Sequence, residues 1–398
     1  MQSLLPNFAF EEELHDPVHQ PGRQTVRAIE DLAGTLLVLA GDGDQLVLPT
    51  GNRPVGRPMW WPDVEFVSAE QARGEPVPWG WSAAARRIFS ERSECGPPQG
   101  AVRRVNSREF LAAFDRVLSP AAANDLCGRF CRDQSEWEAA IRALAPDGRR
   151  WCTKPQFSHA GRNRLLGSGT TLNDQQRGWL SKHLVAGVYV EPWFDVRREW
   201  SLHFEISPAS SDVRLLGATE LLNDEMGRYA GNLICLPEER AVPDEVLSAA
   251  EDLAAACAQA GYWGPLGLDG YLYADPSGNE GLRICNDINA RYSMGRLALA
   301  ARRLCNPAER GLWCQIRSSP AVPHKRLEEF SDPCETARKL FAASSLDDVN
   351  ITRVTPLGMG RRPVVTTTVL LTGPDVNQLR RAHQRLQQTL DHAALEGR

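Results

Sequence analysis

Residues 284–295 read ICNDINARYSMG and set Asp287, Asn289 and Arg291 at alternate positions, so in an extended strand the three side chains share one face. Upstream, LDGYLYADPSGNEGLRIC has the outline of a β-hairpin centred on Gly278. Antiparallel pairing about that centre sets Asp269 opposite Asp287. Like charges directly opposite on a sheet destabilise it, and a divalent cation between them would offset the repulsion, with Asn289 adding a neutral oxygen. Magnesium is the expected ion, because it takes hard oxygen ligands, keeps waters, and reaches a protein through one or two carboxylates plus substrate phosphates. Arg291, on the same face, is then placed to hold the phosphate and to act catalytically on it.

That strand runs through RYSMG into the apolar LALAARRL, a strand-to-helix junction of the kind where ligands gather. In this context the chain resembles the ATP-grasp superfamily, whose late metal-binding strand reads Glu-x-Asn-x-Arg after a Gly-x-Asp strand, as NDINARYSMG follows GLDGYLY here. The resemblance covers roughly residues 100–305. It implies an α/β chain with α+β lobes, namely an ATP-grasp fold behind an N-terminal Rossmann-like pre-ATP-grasp domain. The segments EPWFD, GRYAG and NARYSMG look like a subgroup of ligase-like proteins within it. One departure is Asp287, where the superfamily usually carries glutamate.

The resemblance implies further site residues. A lysine on a strand before a glycine loop would contact the nucleotide, and WCTKPQFSHAGRNRLLG supplies Lys154 and Gly161, with His159 in the loop beside the phosphates. Lysine is scarce: of 45 Lys plus Arg, four are lysine (154, 182, 325 and 339), leaving 41 arginines. An earlier family lysine has no counterpart, and Arg104 or Arg108 would have to serve. A hinge for adenine is implied in VYVEPWFDVRREWSLHFEI, with Glu191 and the backbone at Trp193 at the adenine edge and Glu199 at the ribose. Asp195 competes for the sugar. Arg228 and Tyr229, in the loop NDEMGRYAGN, are placed to receive a substrate carboxylate.

The elements that must position these groups divide the chain at three places. Residues 1–104 carry the Rossmann-like domain, with Leu36 to Ala40 read as its buried parallel strand. Residues 105–206 form the glycine-loop lobe and hinge, where Val188 to Val190 read as a strand broken by Glu191 and Pro192. Residues 207–305 form the metal-binding lobe, and 306–398 an α/β tail with a β-rich RPVVTTTVLLTG and a final polar helix. Cys127 and Cys131 sit at i and i+4 of an expected helix, too poor a set for zinc. The ten cysteines have irregular spacing and no secretory signal, so they are expected reduced, in the cytoplasm.

A net charge of −5 without a basic stripe argues against nucleic acid, and no apolar run reaches membrane-spanning length. The expected partners are small-molecule carboxylate and amine substrates, and a homodimer is an allowed assembly. The resemblance implies an ATP- and Mg2+-dependent ligase that joins a carboxylate to an amine through an acyl phosphate. The alternatives are a nucleotide sensor or scaffold without turnover, or a phosphotransferase.

Overall fold

The computed structural model describes all residues except 115–126, 146–147, 159–162, 224–228, 236–241, 276–277, 318–331, 343–345, 347 and 397–398. Four short strands, β1 (Gln2–Leu5), β2 (Gln45–Val47), β3 (Glu65–Val67) and β4 (Glu75–Pro78), form a parallel sheet in the order β3-β2-β1-β4. Leu4, Leu5, Leu46 and Val47 are all buried, as parallel strands covered on both faces require. The run Leu36–Ala40 is not one of these strands. It falls in and just after a 3-10 helix, Gly34–Val38, that follows helix α1 (Arg23–Ala33) without a break. An apolar run cannot by itself tell a buried strand from a buried helical turn. Here Gly34 decides the packing, because a Cβ at that position would come within 2.5 Å of the Trp61 ring.

The second sheet holds β5 (Arg129–Cys131), β6 (Arg150–Pro155), β7 (Leu165–Ser168) and β8 (Val188–Pro192), antiparallel in the order β5-β8-β6-β7. Two local expectations change here. Cys131 pairs with Val188 in a strand rather than continuing a helix from Cys127, because the β-branched Val188 and Val190 offer a sheet edge that outweighs local helical spacing. Pro192 ends β8 and pairs with Trp151, so Glu191 remains inside the strand. Helix α2 (Gln134–Leu144) covers this sheet; Asp133 caps it by accepting the Glu136 N–H at 2.8 Å.

The third sheet has eight antiparallel strands: β9 (Asp195–Ile206), β10 (Val213–Asn223), β11 (Tyr229–Ile234), β12 (Gly264–Ala274), β13 (Glu280–Asn289), β14 (Arg310–Arg317), β15 (Asn350–Arg353) and β16 (Thr366–Gly373). Their order is β13-β12-β9-β10-β11-β14-β16-β15. Strands on both sides of residue 206 and of residue 305 thus lie in one sheet. Strand β9 alternates strictly: Trp200, Leu202, Phe204 and Ile206 enter a core shared with Val246, Leu253 and Cys257 of helix α3 (Asp244–Gln259), which leaves Glu199, Ser201 and His203 for the opposite face. Among the described residues no helix is long and apolar enough to cross a membrane.

Candidate active site

The polar face of the large sheet meets the second sheet and the helices and loops of the first 80 residues in a cavity of about 390 Å³. Its walls carry Lys154, Glu191, Trp193, Glu199, Tyr229, Asp269, Asp287, Asn289 and Arg291, contributed by the second and third sheets and the turn after β13. Asp195 is exposed and lies off this wall, whereas Glu199 lines it. His159, Gly161 and Arg228 lie outside the described residues.

Asp269 pairs with Asp287 across β12 and β13, but not through a regular hairpin. Nearer the turn, Tyr271 pairs with Arg283, and then Gly270 alone spans the stretch taken by residues 284–286. This bulge, with two extra residues on β13, moves the register so that two aspartates meet. Gly270 is obligatory there, because a Cβ would lie 2.2 Å from the Ile284 carbonyl oxygen. The turn itself uses Gly278 with φ +84°.

Asp269 is half-buried in this arrangement. Ser201 donates to its Oδ1 at 2.5 Å and Asn289 Nδ2 donates to its Oδ2 at 2.8 Å. Burial, reinforced by the facing Asp287, pushes its carboxyl up to about 7 against the lowering effect of the Ser201 hydrogen bond. Asp287 is held by Arg108 Nη2 at 3.4 Å. The donors are all hard oxygens, and Asn289, having given its amide to Asp269, keeps its own oxygen for a cation. Among the described residues no group of three or more His, Cys, Asp or Glu converges on a metal position. A cation here would complete its shell with water and phosphate, which suits magnesium.

On the cavity wall formed by the second sheet, Lys154 Nζ lies 2.5 Å from Glu191 Oε1, and Arg283 Nη2 lies 3.6 Å from Glu191 Oε2. Burial would raise the Glu191 carboxyl, yet Lys154, Arg283 and Arg108 together hold it below its usual value. Trp193 gives its backbone N–H to the Arg150 carbonyl at 3.0 Å. Arg164 lies over the Trp193 ring at 4.6 Å. Glu199 accepts from Asn223 Nδ2 at 2.7 Å, and burial raises its carboxyl. Of the two arginines considered for the missing lysine, Arg108 lines the cavity and donates to the Pro155 carbonyl at 2.8 Å; Arg104 lines a separate groove with Phe110.

Arg291 lines the cavity but is not an open fork. Its Nε donates to Glu11 Oε1 at 2.6 Å, its Nη1 donates to the Tyr292 carbonyl at 2.8 Å, and its guanidinium lies 5.3 Å from the Trp79 ring centre. Sequence reasoning missed Glu11, Ser201, Asn223 and Arg283. Arg283 was within reach of it, since stepping back by two from Asp287 passes through Cys285 to 283. Glu11 lies 280 residues from its partner and left no local signal.

Behind the cavity wall the Tyr229 hydroxyl donates to Asn232 Oδ1 at 2.7 Å, Asn232 Nδ2 donates to Thr219 Oγ1 at 3.0 Å, and His203 Nε2 lies 3.2 Å from the same hydroxyl. Burial, together with Arg296, pushes the fully buried His203 down to about 3. Its folded value lies below the unfolded one, so it contributes stability that is present above about pH 6.5 and is lost as pH falls toward 3. His203→Gln should flatten the acid limb of stability by up to about 1.4 kcal/mol per pH unit over that window. Urea midpoints at pH 7, 5 and 4 test this; parallel losses in both chains would acquit His203.

No protein-family model matches the chain, and no curated protein matches its sequence significantly. Solved structures do resemble it. N5-carboxyaminoimidazole synthetase from Staphylococcus aureus, complexed with ADP, is 12% identical at a TM-score of 0.56, covering 90% of this chain and 95% of that one. N5-carboxyaminoimidazole synthase from Aspergillus clavatus, in complex with ADP and 5-aminoimidazole ribonucleotide, is 12% identical at a TM-score of 0.56 and covers 98% of each chain. Biotin carboxylase from Campylobacter jejuni, in an ATP complex, is 10% identical at 0.53, covering 94% of this chain and 86% of that one. What this chain shares with them is the ATP-grasp fold, an α/β architecture.

Proposed function

We propose, for a chain with the ATP-grasp fold and this constellation in its cleft, magnesium-dependent ligation of a carboxylate to an amine at the expense of ATP. The observation that carries it is the convergence of Lys154, Glu199 and the Asp269–Asp287–Asn289 face on one cavity from separate sheets. Lys154 would meet phosphate oxygens, Glu199 the ribose hydroxyls, and the carbonyl of Trp193 the adenine edge. Asp269, Asp287 and Asn289 would hold magnesium, which when bound neutralises charge on the phosphates. A carboxylate oxygen of the substrate then attacks the γ-phosphorus, the bond to ADP breaks, and an acyl phosphate forms. An amine nitrogen attacks its carbonyl carbon, and inorganic phosphate leaves as the nitrogen loses a proton.

Arg108, buried against Asp287 and the Ser158 carbonyl, takes the place of the family's earlier lysine in this reading. Arg291 acts through position, since Glu11 and Trp79 hold it at the edge of the metal face. The test is ADP release from the full chain with ATP, magnesium and panels of acids and amines. Release that requires both a carboxylate and an amine is the expected result. Tight ATP binding with no release under any pairing would replace the ligase with a sensor.

A further inference from the structure

Beyond the metal face the cavity continues along a wall built by the first 80 residues, and that wall is apolar. Phe8, Ala28, Ile29, Leu32 and Trp79 line it, and the polar side chains it adds are Thr25 and Glu12. Trp79 joins this wall to the reaction centre. Arg291 lies over one side of its ring, and Phe8 meets it edge-on with ring centres 4.8 Å apart. Met294, which opens helix α4 (Met294–Ala300) directly after the metal strand, lines the cavity as well.

Charge is distributed to match. Among the cavity's cations, Lys154 lies against Glu191, Arg108 against Asp287, and Arg291 against Glu11. Arg164 covers Trp193 on the nucleotide side, and Arg317 ends strand β14. None of the wall residues before Trp79 is basic, and Glu12 is acidic. A phosphorylated substrate would bring two negative charges to a wall whose lining residues before Trp79 include no lysine or arginine.

From this wall we infer that the carboxylate substrate carries an unphosphorylated apolar tail of several carbons, with its carboxylate at the metal face and its tail along Trp79, Phe8, Ile29 and Leu32. The inference rests on the ligase reading for the carboxylate's place, and on the wall alone for the tail. Apolar burial sets the size of the effect: each methylene covered should tighten binding about fourfold.

Titration calorimetry of straight-chain acids into the full chain, saturated with a non-hydrolysable ATP analogue and magnesium, measures this directly. Affinity should rise about fourfold per methylene from acetate through butyrate to hexanoate, and ribose 5-phosphate should bind more weakly than hexanoate. Ala28 is exposed on α1 and lines the wall, so Ala28→Glu should fold, keep its nucleotide affinity and lose at least tenfold in hexanoate affinity. Ala28→Leu should keep the length dependence. A flat series, tighter binding of ribose 5-phosphate, or an Ala28→Glu chain with the parent's series would each overturn the proposal. The two readings separate cleanly: length-dependent binding without carboxylate-dependent ADP release retains the tail subsite and removes the ligase, and the reverse outcome does the opposite.

Discussion

Lys154→Met is expected to lose stability as well as ATP affinity. From the strand position alone the substitution removes one charge-assisted phosphate contact, about 1.5 to 3 kcal/mol of binding, and leaves the fold intact. The geometry adds a second cost. Lys154 lies 2.5 Å from Glu191, whose side chain is only 5% exposed, so removing the ammonium strands a buried carboxylate. Breaking such a pair costs about 3 to 5 kcal/mol, toward the lower end here because Arg283 stays within 3.6 Å. Lys154→Met with Glu191→Gln should regain most of that stability without regaining ATP affinity, since the double variant removes the stranded charge but not the missing cation. Urea denaturation and calorimetry of the three chains decide it. A single variant as stable as the parent would mean that the ion pair contributes nothing, and one with the parent's ATP affinity would remove Lys154 from the nucleotide site.

Asp287→Asn should lower magnesium-dependent ADP release more than about 100-fold, because loss of a direct ligand should exceed the 10- to 100-fold effects typical of groups one layer further out. Its fold should persist. The amide is nearly the same size, Arg108 retains the Pro155 carbonyl, and the repulsion that helps push Asp269 up to about 7 disappears. Asp269→Glu behaves differently. On charge alone it is the milder change, yet Asp269 has both oxygens engaged by Ser201 and Asn289. An added methylene there costs about 1 to 3 kcal/mol of strain. The expected pair of results is therefore a stable, inactive Asp287→Asn chain and a less stable Asp269→Glu chain with residual turnover. Asp287→Asn within twofold of the parent's rate would dismiss the metal assignment.

What could be read from residues alone followed the range of the interaction. The period-two placement of Asp287 and Asn289 is local and was legible. Arg291 was expected on the same strand face, but the strand ends at Asn289 and Arg291 lies in the turn beyond it, its N–H donating to the Asn289 carbonyl at 2.8 Å. The facing of Asp269 and Asp287 was read correctly about a centre at Gly278, but it arises from a bulge that the residues do not announce. Leu36–Ala40 misled because apolarity without periodicity fits either a strand or a helical turn. Cys131 misled because its environment is supplied by Val188, 57 positions away. The buried partners of Lys154 and Arg291 were invisible for the same reason: Glu191 and Glu11 are brought to them by tertiary packing, and side-chain type carries no address.

The bulge opposite Gly270 also sets which donors face each other across the hairpin. Were the same β13 to pair without the bulge, the register that pairs Tyr271 with Arg283 would run on, and the position facing Asp269 would fall to Cys285, two residues before Asp287. A thiolate beside a carboxylate is a softer donor set, which turns selection away from magnesium and toward zinc. A two-residue step in register, rather than any change of side chain, thus separates a facing pair of hard oxygen donors from a mixed oxygen and sulfur pair.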